Sequence, residues 1–326
     1  MAGEVKRSAA GRRVIVTGAT GLIGRHVVAA LIDRSADVVA VARNPAESAP
    51  PNLAGAELLT ADLLDASGRR AVAAVQADTL LHLAWDVSPG YVSAPSNLDW
   101  LSASLELIRD FQASGGSRAV LAGTCMEYDW RGAASDLPLN EKQSVFAPTT
   151  LYGHCKFALR SVLEEWAATQ SPFSLSSGLV FFPFGPDEMP SRLVPSVVRT
   201  CLAGGAPQLT SGHQVRDFVD VWTAGEALAE LSLSDVQGPV NIASGVGMSV
   251  RQLAMAIRDS INPGLEIEFG ALQDRPDEPS SLIADTGRLV DDLGFHPSLP
   301  FSEALERTIA FWRSKNLSAV ENAKHL

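Results

Sequence analysis

Short runs of Val, Ile, Leu and Ala alternate along the chain with longer stretches whose apolar residues return at helical spacing. The runs at 14–17, 37–42, 57–60, 79–84, 118–123 and 173–181 predict strands, and the stretches at 22–34, 65–76, 100–113 and 150–169 predict helices. Strands that are apolar throughout bury both faces, and strands separated by helices pair in parallel. The right-handed crossover rule then gives an α/β fold built on a doubly wound parallel sheet.

The texture changes after about residue 182. "FFPFGPDEMP" is rich in Pro, Gly and Phe and predicts a loop leading out of the sheet. Beyond it, helical stretches at 191–203, 220–234, 249–260 and 302–315 are joined by irregular segments and two short strands, 239–242 and 265–269. This predicts a nucleotide-binding domain over 1–181, to which later segments are free to return. A smaller, mostly helical substrate lobe follows over 182–316, with a loosely ordered tail at 317–326.

Composition narrows the possible partners. The chain has 326 residues, 46% of them hydrophobic, enough for a large core. A net charge of −11 argues against nucleic acid and against anionic membrane, which both reward clustered Lys and Arg. The three cysteines, Cys125, Cys155 and Cys201, lie far apart and form neither a disulfide framework nor a metal motif, so no metal is expected. Lys6, Arg7, Arg12 and Arg13 precede an apolar run in the manner of a leader. That run is broken at once by "TGATG" and by Arg25 and His26, and no apolar stretch is long enough to span a bilayer. The expectation is a cytoplasmic protein.

The first chemical signal is "VIVTGATGLIGRHVV", which sets Gly18, Gly21 and Gly24 at three-residue spacing between a strand and an amphipathic helix, with Leu22 and Ile23 inside the loop. Such a loop makes a tight turn, lets backbone approach a pyrophosphate and packs helix on strand, so that the anion sits at the positive end of the helix. The second strand ends "VVAVARNP". Where NAD-binding folds carry an acid for the ribose 2′-hydroxyl, this chain has Ala42, followed by Arg43. Loss of the carboxylate removes repulsion and a guanidinium offers two donors to a 2′-phosphate, so NADP(H) is the preferred cofactor and NAD(H) the alternative. Asp62 and Leu63 are placed to flank the adenine, and Leu83 and Ala84 to pass beside the cofactor backbone. His82, inside an apolar strand, reads as a core residue.

Together with "LAGTCMEY" and "LYGHCK", these elements resemble the extended short-chain dehydrogenase/reductase family, in particular its enzymes of nucleotide-diphosphate sugars. The resemblance runs from "TGATGLIG" to "LGFHP" at 293–297. It implies a Rossmann sheet and a catalytic set of Thr124, Tyr152 and Lys156, with Tyr152 as proton donor, Lys156 also holding the nicotinamide ribose, and Thr124 fixing the substrate oxygen. Hydride delivery to a carbonyl leaves an alkoxide that must be protonated as it forms. A phenol is a weak acid at pKa about 10, and a lysine one helical turn away is expected to lower that value by about 1–3 units.

The dehydratases of that family carry an Asp-Glu pair after the threonine. Here Cys125 and Met126 stand in those places, which excludes dehydration, and Glu127, one place off, reads as a loop carboxylate. Epimerases and ketoreductases share the remaining set. Arg43 favours net reduction, which draws on NADPH, over epimerisation, which usually keeps NAD bound.

In the second lobe, Arg216 and Arg275 match positions that grip a diphosphate in the family, and Arg192 is a candidate for the sugar or base. Pairing of Arg216 with Asp217 or another carboxylate is the competing structural reading. Leu179 and Phe182 replace the family's Arg and Asn in the strand leaving the sheet, and a phenyl wall suits a 6-deoxyhexose. The expected function is NADPH-dependent reduction of a nucleotide-diphosphate 4-keto-6-deoxyhexose, in a homodimer paired through the helix at 150–169. The alternatives are an NAD(P)-dependent 4-epimerase, a non-catalytic NADP(H)-binding regulatory protein and a reductase of small ketones, the last of which would dispense with Arg216 and Arg275.

Overall fold

A computed structural model describes residues 9–44, 53–131, 137–276 and 278–323, with side chains through 315. Its centre is a seven-stranded sheet of β1 (Arg13–Thr17), β2 (Asp37–Ala42), β3 (Glu57–Thr60), β4 (Thr79–His82), β5 (Arg118–Thr124), β6 (Ser174–Val180) and β10 (Gly238–Ile242). The strands are parallel, in the order β10-β6-β5-β4-β1-β2-β3. The order in which strands are added reverses between β1 and β4, where such sheets open a crevice at the carboxyl ends of their strands.

Side-chain alternation along β1 explains why helices cover both faces. Val14 and Val16 point to one side and pack with α1 (Gly24–Asp33) and α6 (Val221–Leu233) through Val27, Val28, Leu31, Ala224 and Leu228. Ile15 points to the other, against α3 (Ser96–Ala113) and α4 (Leu151–Ala168), where Leu107, Phe111, Leu159 and Leu163 lie. Helix α2 (Ala66–Ala73) joins that layer through the buried Val72. Truncating one such fully buried leucine to alanine costs about 2–5 kcal/mol. Residues 221–242 therefore lie with the sheet: α6 packs on α1, and β10 pairs with β6 from Gly238↔Ser176 to Ile242↔Val180.

The second layer gathers round β9 (Val215–Asp220), which pairs with β7 (Phe182–Phe184), β11 (Gly247–Ser249) and β13 (Ser281–Leu282). A two-stranded ribbon of β8 (Gln208–Leu209) and β12 (Glu268–Phe269) flanks it. Its helices α5 (Leu193–Leu202), α7 (Val250–Ile261) and α8 (Phe301–Ala323) share a separate core with Phe184, Val197, Leu253, Ile257, Leu305 and Ile309. The last helix continues past its expected end at 315, since no Pro or Gly interrupts the sequence there; 324–326 of the expected tail lie outside the described residues.

Of the basic N-terminal residues, Lys6 and Arg7 lie outside the described residues. Arg12 and Arg13 belong to the fold: Arg12 Nη1 donates to the Leu233 carbonyl at 3.2 Å, and Arg13 pairs with Asp37 at 2.9 Å and Glu57 at 2.5 Å. Among the described residues no helix is long and apolar enough to cross a membrane.

Candidate active site

The glycine loop leaves β1 as a tight turn. Gly18 holds φ +67°, and a Cβ there would come within 2.8 Å of the Ala84 nitrogen, so the loop also lies hard against the end of β4. A Cβ on Gly24 would meet the Gly18 carbonyl at 2.1 Å, which no side chain tolerates. Helix α1 begins there, and its first-turn N–H groups are the donors an anion would use. Leu22 and Ile23 are half-buried in this loop. Leu83 and Ala84, also half-buried, are tied to it by backbone N–H donation to the Thr17 hydroxyl at 3.2 and 3.3 Å. Arg43 stands exposed just past the end of β2. Leu63 is buried in the core, and the Asp62 carboxylate accepts the Leu64 N–H at 3.0 Å. This cradle of backbone, with the exposed Arg43 at its rim, fits a dinucleotide.

Thr124 ends β5 and Tyr152 and Lys156 open α4, whose N-cap Thr150 accepts the Gly153 N–H at 3.1 Å. The fold thus brings together three residues separated by up to 32 positions in sequence. All three are buried, at 8%, 8% and 4% exposure. Lys156 Nζ donates to the Ala122 carbonyl at 2.9 Å and lies 5.9 Å from the centre of the Tyr152 ring. Burial pulls the lysine down to about 7, against the opposing pull of the Glu127 carboxylate.

Tyr152 departs from its expectation. Its phenol is raised, first by burial and then by Tyr91, Glu127 and Cys125, while a hydrogen bond with Thr124 works the other way. Desolvation of a nearly covered phenol is the largest of these effects. The ligand-free protein therefore carries Tyr152 as a neutral hydroxyl, the form that can give a proton.

Glu127 also differs from its reading as a loop carboxylate. It is fully buried, accepts the Thr124 N–H at 3.1 Å in a capping box and receives Arg160 Nε at 2.7 Å. Arg160 in turn lies 4.2 Å from the Phe146 ring centre. The signal was faint in sequence, because Arg160 sits 33 residues away and nothing local pairs them. His82 is a satisfied core residue: its ring nitrogens meet Thr17 Oγ1 and Ser104 Oγ, each at 2.8 Å, and burial lowers it to about 3. The Cys125 thiol beside Thr124 is pushed up to about 12 by burial and is inert as a base.

The three arginines part company. Arg216 is buried, with Nη1 donating to the Val215 and Pro279 carbonyls at 2.7 and 2.9 Å and Nη2 to Glu278 at 2.7 Å. Its carboxylate partner is thus Glu278; Asp217 instead accepts from Ser244, Gly245 and Ala284. The Arg216 guanidinium also lies 5.5 Å from the Phe182 ring, and Phe182 in turn 6.3 Å from Trp130. Arg192 and Arg275 are exposed. Arg192 stands 5.2 Å over the ring of Tyr91, which meets Tyr152 edge-on at 4.8 Å. The motif reading missed Trp85, Tyr91 and Trp130, since isolated aromatics carry no spacing, and Asn97, a lone amide on a helix. Among the described residues no group of His, Cys, Asp and Glu is placed to hold a metal ion.

The family model described as NAD dependent epimerase/dehydratase matches residues 14–243. A dTDP-6-deoxy-L-talose 4-dehydrogenase (NAD(+)) of Aggregatibacter actinomycetemcomitans is 29% identical over 73% of this chain and 86% of its own. A UDP-glucose 4-epimerase of Erwinia amylovora is 24% identical over 93% and 98%. Among solved structures, the UDP-N-acetylglucosamine 4-epimerase of Methanobrevibacter ruminantium M1, in complex with UDP-N-acetylmuramic acid, superposes with a TM-score of 0.82. It is 26% identical, covering 94% of this chain and 99% of its own.

Proposed function

The chain belongs to the NAD dependent epimerase/dehydratase family, and we propose that within it the protein is an NADPH-dependent reductase of a nucleotide-diphosphate 4-keto-6-deoxyhexose. The observation that carries this reading is the buried trio of Thr124, Tyr152 and Lys156 at the carboxyl end of the sheet, next to a site where the usual acids of dehydration are a thiol and a thioether. Ala42 followed by the exposed Arg43 supports NADPH over NADH. The relative that dehydrogenates C4 of a 6-deoxy sugar nucleotide supports the reaction class.

Gly18, Gly21 and Gly24, with the N-terminus of α1, would hold the pyrophosphate, and Arg43 the 2′-phosphate. A reduced nicotinamide bound there supplies the hydride. Thr124 orients the ketone oxygen by a hydrogen bond, and neutral Tyr152 gives its proton to that oxygen as negative charge develops. Lys156, charged, steadies the phenolate left behind. The aromatic wall of Phe182 and Trp130 offers no polar partner to C6 and suits a methyl group there. Arg216 and Arg275 supply cationic forks for the diphosphate.

A second reading, nucleotide-sugar 4-epimerisation, is favoured by the longer span of the epimerase relative. NADPH consumption with a panel of nucleotide-linked 4-keto-6-deoxy sugars tests the proposal. Consumption in proportion to ketone supports the reductase. Tightly held NAD released on denaturation, with no consumption, supports the epimerase.

A further inference from the structure

The Tyr152–Lys156 pair is roofed by aromatic rings, and the motifs account for none of them. Trp85, just past β4, presents its ring face to Lys156 Nζ at 4.0 Å. Lys156 has need of that face. It is buried, its ammonium is given one carbonyl at 2.9 Å, and the carboxylate nearest in effect, Glu127, already holds Arg160 and the Thr124 N–H. A desolvated ammonium over an indole is stabilised by the ring quadrupole, more strongly than at an exposed site.

The indole is not free to drift. Its Nε1–H donates to Asn97 Oδ1 at 2.8 Å, and its ring stacks on Trp100 at 6.1 Å. Asn97, 1% exposed, uses its amide nitrogen as well, donating to the Tyr91 carbonyl at 2.6 Å and the Ala94 carbonyl at 2.8 Å. One buried amide therefore fixes both the ring over Lys156 and the segment whose Tyr91 ring covers Tyr152. A side chain with donors and acceptor all satisfied rigidifies what it joins.

We propose that Trp85, pinned by Asn97, is a positioning residue for Lys156: its ring face holds the ammonium charged and in place beside Tyr152. The functional consequence rests on the reading of Tyr152 and Lys156 as the reacting pair; the ring–ammonium relation stands apart from it. The groups facing Lys156 are Glu127, His82 and Tyr152. His82, at about 3, stays neutral through the neutral range, and Tyr152, raised, stays protonated there.

The test uses the ligand-free full chain. Tryptophan emission, titrated across the neutral range, is expected to show a transition centred near the Lys156 value of about 7. It should vanish in Lys156→Met and in Trp85→Phe, and weaken in Asn97→Ala, with circular dichroism confirming that each variant is folded. A transition that survives unchanged in Trp85→Phe overturns the proposal, whatever the substrate. With a turned-over ketone, loss of the ring face should also move the alkaline limb of kcat. In Trp85→Leu that limb shifts down by on the order of one pH unit, and Trp85→Phe, which keeps a π face, recovers most of the shift. An unmoved limb in Trp85→Leu would assign the ring to packing alone. Absence of turnover in the wild type would count against the functional reading and leave the emission result to decide this one.

Discussion

The Glu127 carboxylate receives Arg160 Nε at 2.7 Å, and its other oxygen accepts the backbone N–H of Thr124 at 3.1 Å. Two charges hidden in the core thus anchor the turn that presents the threonine. Removing one partner strands the other. Arg160→Ala is expected to lower unfolding stability by about 3–5 kcal/mol, and Arg160→Met, which keeps volume, by less than Arg160→Ala. Urea unfolding measures both; equal, small losses would mean that the pair is solvated.

His82 ties stability to acid. Its folded pKa, about 3, is lowered by burial from the ordinary 6.5, so the unfolded chain binds the proton that the folded one refuses. Stability from this residue is complete above the unfolded value and is lost as pH falls through it toward the folded one, at about 1.4 kcal/mol per pH unit. His26, lowered to about 4 by burial and by Arg25, adds to the slope. In His82→Gln the slope of unfolding free energy against pH over that interval should fall by up to about 1.4 kcal/mol per pH unit, the share of one proton. An unchanged slope would contradict the assignment.

Arg43 is expected to discriminate between cofactors. Arg43→Ala removes a charge-assisted bond worth about 1.5–3 kcal/mol, which is roughly 10- to 100-fold in KM for NADPH. KM for NADH should change little. Parallel changes in both would place Arg43 on the adenine ring instead.

Arg216 faces a choice between substrate and Glu278. If its fork receives a phosphate, Arg216→Met raises KM for the nucleotide-linked ketone by about tenfold or more and leaves KM for NADPH alone. Unchanged KM for both, with lowered thermal stability, would assign Arg216 to its pair with Glu278.

What the sequence made legible was periodic or clustered. The strand at 37–42 declares itself because its interior positions are buried on both faces, and Gly18 and Gly24 because a backbone too close for any Cβ leaves only one residue type. Thr124, Tyr152 and Lys156 were legible as motifs, though not the environment that raises the phenol, which is burial first and then the neighbouring Tyr91, Glu127 and Cys125. The pairings Glu127–Arg160, Arg216–Glu278 and Trp85–Lys156 were hidden for one physical reason. Each joins residues 33 to 71 positions apart whose types are common on any helix or loop, and only the closure of the fold selects the partner.

The central claim is a net hydride transfer to C4 with a proton from Tyr152. The most direct measurement uses NADPH carrying deuterium at the transferring position, a nucleotide-linked 4-keto-6-deoxyhexose and mass and NMR analysis of the sugar. The account predicts deuterium bound at C4, one per NADPH oxidised, at a rate about 10²- to 10⁴-fold lower in Tyr152→Phe. A sugar inverted at C4 without deuterium from the free cofactor, or a Tyr152→Phe protein as fast as the wild type, would contradict it.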